Sequence, residues 1–354
     1  MALEESTRRT LSTTEQHESG APHAVGIVGS GFIGREHALS WQKLGVALHV
    51  YGGAQSQQLA LEVGAQHHDT MASLIAAVET VDVCTPTHLH RDVALAAAAA
   101  GRNVICEKPL AQSVEAAQEI ADACEAAGVR LFVGQVVRYF PEYAKARDAI
   151  REGKVGQIAV MRLARESFAP QRAPESWLFD DERSGGIIGD LMTHDIDYAL
   201  WTAGPVVRVF AKVTSSGQLP VADHAFAVLT HESGALTHLT ASWAQVAPRF
   251  RTRMDIAGTT GMLTYDSERS APILVATRAK DSAQSAEVGL PARTVTSLVD
   301  DPFTAQLRDF LRGIVTGAEA RSTAIESIAA VRVAAAAQES VRTARAVELG
   351  KDLR

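Results

Sequence analysis

Short apolar runs alternate with amphipathic stretches through the first third of the chain. Ala24 to Val28 and Ala47 to Tyr51 read as buried strands, followed by helices over Phe32 to Leu44 and about Gln57 to Val63. Val81 to Cys84 and Asn103 to Cys106 are strand-like and flank the alanine-rich helix Arg91 to Ala100. Ser113 to Ala127 is helical, and Arg130 to Val133 closes the run. Strands that are apolar throughout and alternate with helices predict a parallel sheet covered on both faces.

After Pro141 the rhythm changes. A helix is expected from about Glu142 to Arg151. Strands follow around Ile158 to Ala164, Val206 to Val213, Phe226 to Thr230, Ala235 to Ser242, Thr252 to Ala257 and Gly261 to Tyr265. Gly234, Pro248 and Gly258-Thr259-Thr260-Gly261 punctuate them, as expected of an antiparallel sheet with short turns. A helix over Gly186 to Trp201 lies against that sheet. Two helices finish the chain, one opened by Asp301-Pro302 and one by the capping box Thr323 to Glu326. The expected organisation is a disordered polar tail over 1–22, an α/β domain over 23–140 and an α+β domain over 141–354.

The 354 residues are too many for one ordinary core and suit two domains. A net charge of −7 leaves no electrostatic footprint for nucleic acid. The three cysteines (Cys84, Cys106, Cys124) lack metal-ligand spacing, and their odd number fits a reducing compartment. Arg8-Arg9 faintly suggests a twin-arginine signal, but the residues from Ser12 to Gly20 are polar where a signal needs an apolar stretch. With no run long enough to span a bilayer, a cytoplasmic protein is expected.

Gly29-Ser30-Gly31-Phe32-Ile33-Gly34 is a GxGxxG that follows a strand and opens a helix. The first glycine permits a tight turn, the second lets the backbone approach a pyrophosphate, and the third lets helix and strand pack closely. The phosphates would then face a helix N-terminus. NAD enzymes of this kind carry an acid at the end of the second strand for the ribose hydroxyl. Here that place reads Tyr51-Gly52-Gly53-Ala54-Gln55-Ser56, with neither a carboxylate to repel a 2′-phosphate nor an arginine to grip one. The expected cofactor is NAD(P), with a lean toward NADP.

Thr85-Pro86-Thr87-His88-Leu89-His90 and Glu107-Lys108-Pro109 both follow strands and should lie at the carboxyl edge of the sheet, where ligands bind. A lysine there can hold a substrate hydroxyl and stabilise charge on its oxygen. Lys108–Pro109 is a candidate cis bond. His88 and His90 have no acid or cysteine cluster beside them, so they read as loop wall and no metal is expected. In Asp190-Leu191-Met192-Thr193-His194-Asp195-Ile196-Asp197, Asp190 and His194 stand four apart on one expected helix face. A carboxylate so placed can orient an imidazole, and an oriented imidazole can take a proton from an alcohol.

Together GSGFIG, CTPTHLH, EKP, GQVVRYFP, GGIIGDLMTHDID and the later GTTGML turn resemble, in order, the glucose–fructose oxidoreductase, inositol dehydrogenase and rhizopine-catabolism (Gfo/Idh/MocA) family, from about Val25 to Val347. The resemblance implies an N-terminal Rossmann domain and a C-terminal domain with an open, mainly antiparallel sheet. That sheet would form a homodimer or homotetramer. It carries the family's catalytic lysine onto Lys108 and its acid and histidine onto Asp190 and His194. Cofactor contacts fall on Gly29, Ser30, Gly31, Phe32, Ile33, Gly34, Gly52, Thr85, Pro86, His88, Glu107, Lys108 and Gln135. Arg138, Tyr139 and Trp177 are candidate substrate contacts, with Arg138 open to an ion pair in the domain joint and Trp177 to interface packing. The implied activity is hydride transfer between a sugar or cyclitol secondary alcohol and nicotinamide. Glycoside cleavage through transient oxidation, a catalytically silent nucleotide-binding regulator and a keto-sugar reductase are the competing readings.

Overall fold

The computed structural model describes residues 22–170, 172–173, 175–245, 250–269, 273–277 and 301–350; the tail expected over 1–22 lies outside them except for Pro22, as does Pro248. The N-terminal domain runs β1 (Ala24–Val28), α1 (Phe32–Leu44), β2 (Ala47–Tyr51), α2 (Ser56–Val63), β3 (Gln66–His67), α3 (Met71–Ala77), β4 (Thr80–Val83), α4 (His90–Ala99), β5 (Asn103–Glu107), α5 (Val114–Ala126) and β6 (Leu131–Gly134). All strands are parallel, in the order β3-β2-β1-β4-β5-β6. The order reverses between β1 and β4, which opens a crevice beyond their carboxyl ends. The two-residue β3 and the seven-residue α3 were not foreseen, being too short to show a period.

The second domain contains α6 (Pro141–Arg151), β7 (Ile158–Phe168), α7 (Asp181–Ser184), α8 (Thr193–Ala203), β8 (Val206–Thr214), β9 (His224–His231), β10 (Leu236–Gln245), β11 (Arg251–Gly258), β12 (Gly261–Asp266) and β13 (Ile273–Thr277). Then come α9 (Pro302–Thr316), α10 (Ala324–Thr343) and β14 (Val347–Glu348). The sheet order is β13-β12-β11-β7-β10-β9-β8-β14. It is antiparallel except where β10 runs parallel to β7 at its centre. Both terminal helices start as the sequence suggests. Asp301 caps α9 ahead of Pro302, and Thr323 and Glu326 close a reciprocal capping box on α10.

Two features depart from expectation. The segment foreseen as one helix over Gly186 to Trp201 begins as a π-turn, Ile188–Met192, that widens before α8 continues. The C-terminal helices also do not stay in the second domain. Leu307 and Phe310 of α9 complete the core around Ile27 and Trp41. Ile328 and Val331 of α10 pack into the other N-terminal core, while Ala330, Val333 and Ala337 pack into that of the second domain. This shared wall sets the crevice of the parallel sheet against the segment that carries Asp190 and His194.

Candidate active site

A cleft of about 930 Å³ lies between the two domains at the carboxyl ends of β1, β2, β4 and β5. The loop over Gly29, Ser30, Gly31, Phe32 and Ile33 forms one wall. Gly29 has φ +115°, and a Cβ there would sit 2.5 Å from the Cys84 carbonyl oxygen. Gly34 is off the cleft wall because its task is packing: a Cβ there would meet the Gly29 carbonyl oxygen at 2.0 Å. A Cβ on Gly31 would meet nothing within 4 Å, so the backbone is bare toward the cleft. Gly31 caps α1 without a side-chain bond, and the first turn carries no acid. Those free N–H groups fit an anionic pyrophosphate. At the far end the wall is Tyr51, Gly52, Gly53, Ala54 and Gln55, uncharged throughout.

Thr85, Pro86, Glu107 and Lys108 form the opposite wall. The Lys108–Pro109 bond is cis. His90 staples the two loops, its ring nitrogens lying 2.9 Å from the Thr85 carbonyl oxygen and 3.0 Å from that of Pro109. From the second domain Asp190, Trp177 and Arg172 reach the same cavity. Lys108 Nζ donates to the Asp190 carbonyl oxygen at 2.7 Å and to its Oδ1 at 3.1 Å. His194 is half-buried and, unlike Lys108 and Asp190, is not part of the cleft lining, though it lies close enough to Lys108 to feel its charge. Its pKa is held well below the ordinary imidazole value by burial first, then by the charges of Lys108 and Arg165. The ring is therefore neutral at pH 7.

The expectation that Asp190 orients His194 is not met. Asp190 lies in the π-turn, which breaks the four-residue alignment, and its carboxylate turns to Lys108. Among the described residues no hydrogen bond joins the pair, and His194 Nδ1 is buried without a partner. Arg138 and Tyr139 are also not at the cleft. Arg138 is fully buried in the domain joint, where it grips Asp197 at 2.7 and 2.8 Å and Glu326 at 2.8 Å. Tyr139 donates to Asp309 at 2.7 Å within the core. Gln135 is buried off the cleft wall with Oε1 unpaired. His88 accepts from Arg183 Nη2 at 2.8 Å beside the Trp177 ring, clasping α7 to the loop after β4 rather than lining the cavity.

Sequence reading also missed groups beneath the floor. His37 and Trp41, four apart on α1, both point at Asp82 of β4. Strand alternation puts Asp82, Cys84 and Glu107 on that same face. An inward histidine and indole above a strand acid was the available signal.

The N-terminal region, residues 23–135, matches the family model described as an oxidoreductase family with an NAD-binding Rossmann fold, and residues 143–264 match the Gfo/Idh/MocA C-terminal domain. The chain belongs to this family. Levoglucosan dehydrogenase of Pseudarthrobacter phenanthrenivorans is 27% identical over 71% of this chain and 75% of its own length. Inositol 2-dehydrogenase of Rhizobium meliloti is 25% identical over 92% of this chain and 98% of its own. The solved structure of a levoglucosan dehydrogenase with NADH and L-sorbose superposes with a TM-score of 0.82 at 23% identity, covering 94% of this chain and all of that one. As a Gfo/Idh/MocA protein, the chain is an oxidoreductase whose N-terminal domain binds NAD. Among the described residues no helix is long and apolar enough to cross a membrane.

Proposed function

We propose that the protein oxidises a secondary alcohol of a sugar or cyclitol, with Lys108 and His194 acting on the reacting hydroxyl. The observation that carries this reading is the meeting of Lys108 Nζ with Asp190 at the cleft wall, beside a neutral His194. The relatives named as levoglucosan and inositol dehydrogenases support the substrate class. When bound, the nicotinamide supplies the hydride acceptor. The chain's own groups manage oxygen and proton. An ammonium has three donors; Asp190 occupies two of those on Lys108, which leaves one for a substrate oxygen. His194, kept neutral by its surroundings, accepts the hydroxyl proton. General-base help of this kind contributes about 10²–10⁴-fold. Asp190 is a positioning residue here, holding the lysine rather than the histidine. Trp177 and Arg172 shape the substrate end.

Gly29 to Ile33 would hold the pyrophosphate, and Thr85, Pro86 and Glu107 would lie on the nicotinamide side. The uncharged Tyr51-to-Gln55 end neither repels nor grips a 2′-phosphate, so the protein accepts both NAD and NADP. The outer face of the second sheet, where Phe226, Leu236 and Met262 are exposed, forms the homo-oligomer. The three cysteines are free and buried, in keeping with a reducing cytoplasm.

A panel of cyclitols, aldoses and anhydrosugars, each offered with NAD and with NADP, tests the reading. Growth of the reduced-nicotinamide absorbance with at least one member is expected. Cleavage of a glycoside with no net coenzyme change, or inertness toward the entire panel, would contradict it.

A further inference from the structure

Below the cleft floor four polar side chains meet where no solvent reaches. His37 of α1 and Asp82 of β4 are fully buried and Glu107 of β5 nearly so. His37 Nδ1 lies 2.9 Å from Asp82 Oδ2 and 3.1 Å from Oδ1. Trp41 donates its indole N–H to Asp82 Oδ2 at 2.7 Å. On the other side of the ring, His37 Nε2 comes within 3.1 Å of Glu107 Oε1. Neither of these two atoms has a directed hydrogen bond, so the contact is one of close approach. Glu107 in turn lines the cleft beside Lys108.

A neutral imidazole has one N–H and one lone pair. With carboxylates beside both nitrogens, a neutral ring would leave two anions with no counter-charge between them, which a ring protonated on both sides supplies. Burial works against the charge, but Asp82 and Cys84 together outweigh it, and the pKa of His37 is raised well above the ordinary value. Cys84, 3.4 Å from Nδ1, is a protonated thiol, because burial and Asp82 push it up to about 12. The uncharged Phe303 ring also stands near, 5.7 Å from His37. A cation in place of the proton would have to displace the imidazole and indole donors that already fill Asp82.

We propose that His37 is a positioning residue: wedged between Asp82 and Glu107, it holds the Glu107 carboxylate in place against the cleft, where that carboxylate favours the oxidised, cationic nicotinamide over the neutral reduced one. The backbone allows for this placement. A Cβ on Gly134 would sit 2.3 Å from Glu107 Oε1, so the strand beside Glu107 leaves its carboxylate the space of a side chain. In His37→Gln the two carboxylates lose their shared counter-charge. Glu107, at the wetter edge, is then free to turn away from the cleft wall.

The proposal rests on the nicotinamide reading above, and its test separates the two. In the cofactor-free protein, nitrogen NMR of labelled histidine, assigned by the signal missing from His37→Gln, is expected to show both ring nitrogens of His37 protonated at about pH 7.5, where a free imidazole has lost its proton. A neutral ring at pH 7 would overturn the proposal alone, and this holds even if the variant folds poorly. Dissociation constants for NAD and NADH give the second readout. His37→Gln should weaken NAD relative to NADH about tenfold. Glu107→Gln, and the double variant, should show the same loss. An NAD/NADH ratio unchanged in His37→Gln would refute the role. Failure of the wild type to bind either dinucleotide would overturn the functional reading itself.

Discussion

At the scale of single residues, the site depends on what surrounds His194. Burial, Lys108 and Arg165 all disfavour the imidazolium. A base must be unprotonated to act, and this one stays so to well below the pH where a free imidazole charges, about 6.5. The acid limb of kcat/KM for alcohol oxidation is therefore expected well under pH 6.5, measured as a pH profile at saturating coenzyme; a limb at or above 6.5 would remove His194 as the base. That Lys108 and Asp190 reach one cleft was legible from motif order, and His194 stays a candidate from the same motif. Their wiring was not, because a π-turn is a backbone irregularity with no periodic signature. Arg138 and Tyr139 were misplaced for a related reason. They stand at the end of the nucleotide domain in sequence, but Asp197, Glu326 and Asp309, acids far along the chain, draw them into the joint.

At the scale of elements, the glycine loop separates packing from binding. Gly34→Ala forces a methyl into the Gly29 carbonyl, whose backbone cannot yield cheaply. It should cost about 1–3 kcal/mol and lower the melting temperature with or without coenzyme. Gly31→Ala meets nothing in the protein. It should melt like the wild type yet bind dinucleotide more weakly. Calorimetry with and without NAD checks both, and equal melting of the two variants would contradict the assignment. Elements with a clear period or cap were read from the sequence: β1, α1, β2, α6, and the Asp301 and Thr323 starts. The parallel pairing of β10 with β7 could not be read, since a strand's own residues do not encode its neighbour's direction.

At the scale of the whole molecule, α9 and α10 tie the two domains together, although the sequence places both helices after the second sheet. Their apolar faces were visible; which core they fill was not. Solution behaviour follows from charge and surface. His90, His194 and His231 are all held below their ordinary pKa, chiefly by burial. Unfolding lets them bind protons near pH 6.5, so their share of stability is present above that pH and lost as pH falls through it. His37 acts oppositely, its share being present below 6.5 and lost as pH climbs through its raised value. The net expectation is a lower urea midpoint at about pH 5.5 than at about pH 7.5; equal midpoints would contradict it. Phe226→Glu on the exposed sheet face should shift the mass measured by light scattering toward the monomer, and an unchanged mass would place the interface elsewhere.

The central claim is that a lysine from one domain and a histidine from the other act on one bound alcohol. Its most direct test is kcat together with the dinucleotide dissociation constant for Lys108→Ala and His194→Ala, on whichever sugar or cyclitol the wild type oxidises. kcat is expected to fall by about 10²–10⁴ in each variant, with coenzyme affinity held within about threefold. Full turnover in both variants would contradict it.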